Sequence, residues 1–121
     1  MKNTLIIMSL FTTLFGAKAQ STNQIKIISP QEYKRGISQK NVQLIDVRTL
    51  REFKMGHINK AINMDIFQQR LFVEKIGALD KDRPVYVYCR SGVRSLKAAR
   101  KLIEMGFTQI YDLQGGYRKW N

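Results

Sequence analysis

Residues 84–105 constrain the fold of this chain more than any other stretch. Pro84-Val85-Tyr86-Val87-Tyr88 is the clearest strand, a run of β-branched and aromatic residues behind a proline. Cys89 to Arg94 is a polar loop containing Gly92. Ser95 to Met105 is the clearest helix, with Leu96, Ala99, Leu102 and Ile103 on one face, basic residues on the other, and Gly106 at its end. A strand that passes through a short loop into an amphipathic helix is part of a β-α-β unit, and that unit builds parallel sheets.

The rest of the chain repeats this alternation. Ile25 to Ile28 reads as a strand, and Ser29-Pro30 then starts a helix that runs to about Gln39, with Ser29 as cap and Pro30 in the first turn. Val42 to Val47 reads as a buried strand. Thr49 caps a short helix through Phe53 that Gly56 stops, and Ala61 to Met64 is a brief strand. Phe67, Leu71, Phe72, Ile76 and Leu79 have helical spacing across residues 67–79. Gln109 to Leu113 is a last strand, and Gly115-Gly116 breaks the chain before a final turn carrying Tyr117 and Trp120. Strands alternating with helices predict an α/β fold, a parallel sheet with helices on both faces. Ligands of such sheets bind beyond the carboxyl ends of the strands. Cys89 sits at one of those ends.

Length and composition agree with a single globular domain: 121 residues, 44% hydrophobic and 25% charged. Residues 1–19 read as a secretory signal peptide rather than as part of the fold. Lys2 is followed by an apolar run from Leu5 to Phe15 and then by Ala17-Lys18-Ala19, with small residues where a signal peptidase reads. The run is shorter than the ~20 residues that span a bilayer. Cleavage before Gln20 predicts a mature domain of residues 20–121 in the periplasm or outside the cell, without stable membrane insertion. It also lowers the net charge from +12 to +10 by removing Lys2 and Lys18. The basic residues are scattered and form no aromatic-interleaved stripe, which argues against nucleic acid; the charge reads as a solvated basic surface, or secondly as one that attracts small anions.

The chain has one cysteine, so no internal disulfide is available to it. In Val-Tyr-Cys-Arg-Ser-Gly-Val-Arg-Ser, residues 87–95, a turn between a strand end and a helix start points backbone N–H groups inward. Joined to the positive end of the helix dipole, such a nest favours an anion, and a thiolate placed there is stabilised. Gly92 permits the tight curl. Arg90 and Arg94 add positive charge, Arg90 as a donor of charge-assisted hydrogen bonds to an anionic substrate, Arg94 to such a substrate or to a carboxylate. A thiolate so held can take sulfur from an anionic donor and keep it as a persulfide. The alternative is Cys89 as a small buried hydrophobe.

Four motifs in order resemble the rhodanese family, and the match spans almost all of residues 20–121. They are Asp46-Val47-Arg48 with Glu52-Phe53, Gly56-His57-Ile58 with Ala61-Ile62-Asn63, Cys89-Arg90-Ser91-Gly92-Val93-Arg94-Ser95 as active-site loop, and Leu113-Gln114-Gly115-Gly116 with Trp120. Asn59 and Lys60 stand where that family often has Pro and Gly, and Ser91 where some members carry a basic residue. The resemblance implies a three-layer α/β/α domain with a central, mainly parallel sheet. It also implies a sulfurtransferase, or thiosulfate sulfurtransferase, with Cys89 as catalytic residue and residues Arg90 to Ser95 binding the substrate. The partners would be a small anionic sulfur donor and a cyanide or thiol acceptor, with no metal or organic cofactor; export of a reactive thiol suggests a thioredoxin-like reductant as a further partner.

Asp46 and Arg48 follow a strand and are expected to support the active face, as a buried pair or by fixing the cysteine loop. His57, the one histidine, belongs in the family to a structural turn, and one Cys with one His makes no metal site. Tyr88 and Trp120 read as packing. Three other readings compete. A phosphatase or arsenate reductase also uses a cysteine loop, but places Arg six positions after Cys. Here Arg94 comes five after Cys89 and position 95 is Ser. A non-catalytic interaction module would dispense with the cysteine. A persulfide carrier would use the same chemistry on Cys89 and hand its sulfur to a partner.

Overall fold

The computed structural model describes residues 24–120. The proposed signal peptide of residues 1–19 lies outside them. Five strands and four helices alternate: β1 (Ile25–Ile28), α1 (Pro30–Ile37), β2 (Gln43–Asp46), α2 (Leu50–Met55), β3 (Ile62–Asn63), α3 (Gln69–Gly77), β4 (Val85–Tyr88), α4 (Val93–Glu104) and β5 (Ile110–Leu113). A 3-10 turn over Tyr117–Lys119 closes the described chain. Every pairing in the sheet is parallel, in the order β1-β5-β4-β2-β3. The sheet expected to be mainly parallel is therefore wholly so among the described residues.

Local chemistry explains where the elements begin. Ser29 Oγ accepts the Glu32 N–H at 3.2 Å with Pro30 in the first turn. Thr49 and Glu52 form a reciprocal capping box that starts α2. Side chains of β2 and β4 are buried throughout, so alternate residues feed two cores. On one face Ile45, Val85, Val87 and Ile110 pack with Phe72 and Ile76 of α3 and Ala98, Ala99 and Leu102 of α4. On the other, Leu44, Tyr86, Tyr88 and Leu113 pack with Tyr33 of α1 and with Ile58. Gly36 lets α1 approach this face: a Cβ there would run into the Tyr86 hydroxyl. The result is the three-layer α/β/α arrangement.

Two boundaries differ from the sequence reading in ways that matter. The helix expected from Ser95 begins at Val93, because Gly92, in a left-handed conformation (φ 116°), already turns the chain into it. Ser95 is therefore a buried residue of the first helical turn. The helix expected from Phe67 begins at Gln69, because Asp65 Oδ1 accepts the Phe67 N–H at 2.9 Å and holds a turn before it. Of the five apolar residues whose spacing suggested this helix, Phe72 and Ile76 are buried and Leu79 packs beside them, while Phe67 and Leu71 are exposed.

Candidate active site

Cys89 follows β4, the middle strand of the sheet, and lies at its carboxyl edge where α4 begins. The strand carries the residue into the core, where it is 1% exposed. The chain then curls back so that the Gly92 N–H donates to Cys89 Sγ at 3.0 Å. The thiol faces the Ser95 hydroxyl at 3.4 Å. The first turn of α4 leaves further N–H groups without helical partners, pointing to the same end. Arg90, Ser91 and Val93 are exposed on the outside of the loop.

The loop and the helix start it feeds are held from two sides. From the closing segment, the Tyr117 N–H donates to Cys89 O at 2.8 Å and the Arg118 N–H to Arg90 O at 3.1 Å. Gly116 makes this approach possible: with φ 65° and ψ −163°, a Cβ on it would lie 2.7 Å from Cys89 O and run into the Arg90 carbonyl. From α2, Glu52 binds Arg94 in a bidentate pair, with Nη1 to Oε1 at 2.7 Å and Nη2 to Oε2 at 2.9 Å. The hydrogen bonds from Arg94 hold the Glu52 carboxyl down at about 2. Of the two roles open to Arg94, the structure shows the carboxylate pair. Its charge remains within electrostatic reach of Cys89.

Behind the closing segment lies the Asp46–Arg48 pair, which is buried. Arg48 Nη2 donates to Asp46 Oδ2 at 2.7 Å and Nε to Oδ1 at 3.0 Å, while the Arg48 N–H also reaches Oδ1 at 2.9 Å. Nη2 further donates to Gly56 O at 2.7 Å, and the guanidinium lies 4.4 Å from the centre of the Tyr117 ring. The pair therefore supports the closing segment that grips the cysteine loop. Tyr88 does more than pack: its hydroxyl accepts the Ile58 N–H at 3.0 Å and ties the Gly56-His57-Ile58 turn to the end of β4. His57 is exposed, stacks on Phe53 and places Nδ1 2.8 Å from Phe53 O, a role within its own turn. Trp120 packs edge-on against Tyr33.

A cavity of about 330 Å³ opens beside the loop, lined by Arg48, Glu52, Met55, Arg90, Tyr117 and Arg118. With Arg48 and Glu52 each paired, Arg90 and Arg118 are its uncommitted cations among the described residues. A larger groove of about 440 Å³ runs between α3 and α4, but no residue of the cysteine loop lines it. Sequence reasoning did not single out Tyr117, Arg118 or Met55 as parts of the site. A Gly-Gly break read as a close backbone approach would have pointed to the first two.

The Rhodanese-like domain model matches residues 29–121. The chain belongs to the rhodanese family. It is 40% identical over 82 residues to the thiosulfate sulfurtransferase GlpE of Shewanella oneidensis, covering 68% of this chain and 78% of that protein. It is also 40% identical over 96 residues to the protein YqhL of Bacillus subtilis, covering 79% and 72%. Among solved structures, a rhodanese-like domain protein from Staphylococcus aureus superposes with a TM-score of 0.69 at 30% identity, covering 79% of this chain and 91% of that one. Cys89 to Gly92 form the strand-to-helix loop and Val93 to Ser95 the first turn of α4, while Asp46 and Arg48 lie behind the closing segment.

Proposed function

We propose that this rhodanese-family protein is a sulfurtransferase that carries a sulfane sulfur on Cys89. The observation that carries the reading is the Gly92 N–H donating to Sγ at 3.0 Å, at the start of α4. That geometry offers a backbone donor to the sulfur that receives the transferred atom. The mechanism is a double displacement. Cys89 thiolate attacks the outer sulfur of a donor such as thiosulfate. The new S–S bond forms as the donor's S–S bond breaks, and sulfite leaves with the electron pair. Cyanide or a thiolate then attacks the outer sulfur of the persulfide, and the Cys89 thiolate is regenerated. Arg90 and Arg118 at the cavity attract the anionic donor.

The commitment of Arg94 to Glu52 favours sulfur over phosphate chemistry, since it takes up the one arginine late in the loop. The N-terminal pattern supports export, with cleavage before Gln20 and a site exposed to the periplasm or the exterior. There a thiol-bearing, thioredoxin-like protein is a suitable acceptor or reductant.

The experiment incubates the purified protein and Cys89→Ser with thiosulfate, with and without cyanide. It follows thiocyanate and the intact mass. A gain of one sulfur atom and thiocyanate formation, both absent in Cys89→Ser, are expected. Mass gain without turnover would make the protein a carrier awaiting another acceptor. Absence of both from folded protein with a free thiol would refute the thiosulfate reading.

A further inference from the structure

The groove between α3 and α4 takes no part in the mechanism above. Its volume is about 440 Å³. Ile66 and Phe72 of the core line it, and Val73 of α3 stands exposed beside them, so this side is apolar. The other side is α4, which contributes Lys97, Arg100 and Lys101. Residues three and four positions apart are neighbours on a helix surface, so the three cations stand together.

Little within the described residues answers this charge. Lys101 meets Glu104 at 3.4 Å, but both side chains are largely in solvent, and a pair so placed contributes little. Lys97 and Arg100 form no ion pair among the described residues. Three cations face one carboxylate, so the groove is net positive. Its occupant must offer an apolar body and a negative charge. Charge excludes a second copy of this chain, which brings a net charge of +12. It also excludes the apolar run from Leu5 to Phe15, since residues 1–19 hold Lys2 and Lys18 and no Asp or Glu. Size decides the rest. A stable protein interface takes about 800 Å² and roughly 20–30 residues from each side. Eight residues line this groove, and its volume falls among small-molecule sites, which begin at about 300 Å³. From Lys97 to Glu104, at 1.5 Å per residue of helix, it is about 10 Å long.

We infer that this groove is a binding site for a small amphipathic anion, an alkyl carboxylate or sulfonate of medium chain length. Its head lies against Lys97 and Arg100, and its chain covers Ile66, Phe72 and Val73. The chain removes apolar surface from water, and the head accepts charge-assisted hydrogen bonds from the two cations that lack an ion pair. The site is separate from the cysteine loop and does not depend on chemistry at Cys89.

The test titrates octanoate into the nitrogen-15-labelled protein and follows its backbone amide signals. Saturable shifts should appear in residues 66–73 and 97–104, and Cys89→Ser should bind as wild type does. The double variant Lys97→Gln, Arg100→Gln should bind at least about tenfold more weakly, as loss of charge-assisted hydrogen bonds requires. Val73→Glu, which sets a carboxylate on the apolar wall, should weaken binding too. All three positions are exposed, so the fold should persist, and the amide spectrum checks that it does. Acetate supplies the head without the chain, and octylammonium the chain with the opposite charge. Each should bind at least about tenfold more weakly than octanoate. Acetate binding as tightly as octanoate would reduce the groove to a patch of surface cations, and octylammonium doing so would remove the cations from the account. Shifts confined to Cys89 to Gly92 and Arg118 would place the anion in the active-site cavity instead. Association with phosphatidylglycerol vesicles without binding of free octanoate would make this face a membrane contact. Each of these results, or the absence of any saturable shift, overturns the proposal.

Discussion

Gly116→Ala tests whether the closing segment holds the cysteine loop in place. At φ 65° and ψ −163° the residue occupies a region almost reserved for glycine, and an alanine there is strained by about 1–3 kcal/mol. The added Cβ would also stand 2.7 Å from Cys89 O and meet the Arg90 carbonyl, so the two backbones must separate. Separation weakens the hydrogen bonds from Tyr117 to Cys89 and from Arg118 to Arg90, each contributing about 0.5–1.5 kcal/mol. Together these give a loss of roughly 3–5 kcal/mol, a large part of the ~5–15 kcal/mol typical of a domain. Urea unfolding should show a lower midpoint with unchanged slope. Amide exchange at Tyr117 and Arg118 should quicken, and persulfide loading should fall. Gly115→Ala is the control: at φ 77° it is also strained, but its Cβ would meet Lys119 rather than the loop carbonyls, so the Tyr117 and Arg118 amides should stay protected. Stability of Gly116→Ala within about 0.5 kcal/mol of wild type, with both amides still protected, would refute the reasoning.

Arg48→Ala leaves Asp46 buried and without its cation, and should lower stability by about 3–5 kcal/mol in thermal or urea unfolding. A loss below about 1 kcal/mol would mean that Asp46 finds other partners. Glu52, held at about 2 in the folded protein against a usual 4.5, adds stability that is complete above pH 4.5 and is lost as pH falls towards 2. The pair is partly exposed, so the contribution is about 1–2 kcal/mol after solvent screening. Glu52→Gln should lose it at neutral pH and flatten the acid limb of a stability profile, and an unchanged limb would remove the pair from the account.

Much of this molecule was legible because its signals are local. The Ser29-Pro30 cap, the β-branched run before Cys89 and the apolar face of α4 each follow from neighbours in sequence, and all three elements form. Asp46 and Arg48, two positions apart, were readable as a pair for the same reason. What the sequence left open depends on distant partners. The choice of Glu52 by Arg94 crosses 42 positions, and no periodicity encodes it. Phe67 fits a helical period, yet the side chain of Asp65 captures its backbone N–H first and the helix starts two residues later.

The position of β1 has a consequence for how the molecule comes into being. Among the described residues this strand bonds only to β5, with Ile25 opposite Ile110, so its partner lies most of the described chain away. Contacts between sequence-distant segments form slowly, because a long loop must close before they are rewarded. β2 and β4 can pair while the chain is still growing, but β1 must wait for β5. Immediately after β5 come the amides of Tyr117 and Arg118 that grip Cys89 and Arg90. Completion of the sheet and completion of the site thus belong to the same late event, and a chain that stops short of it lacks both.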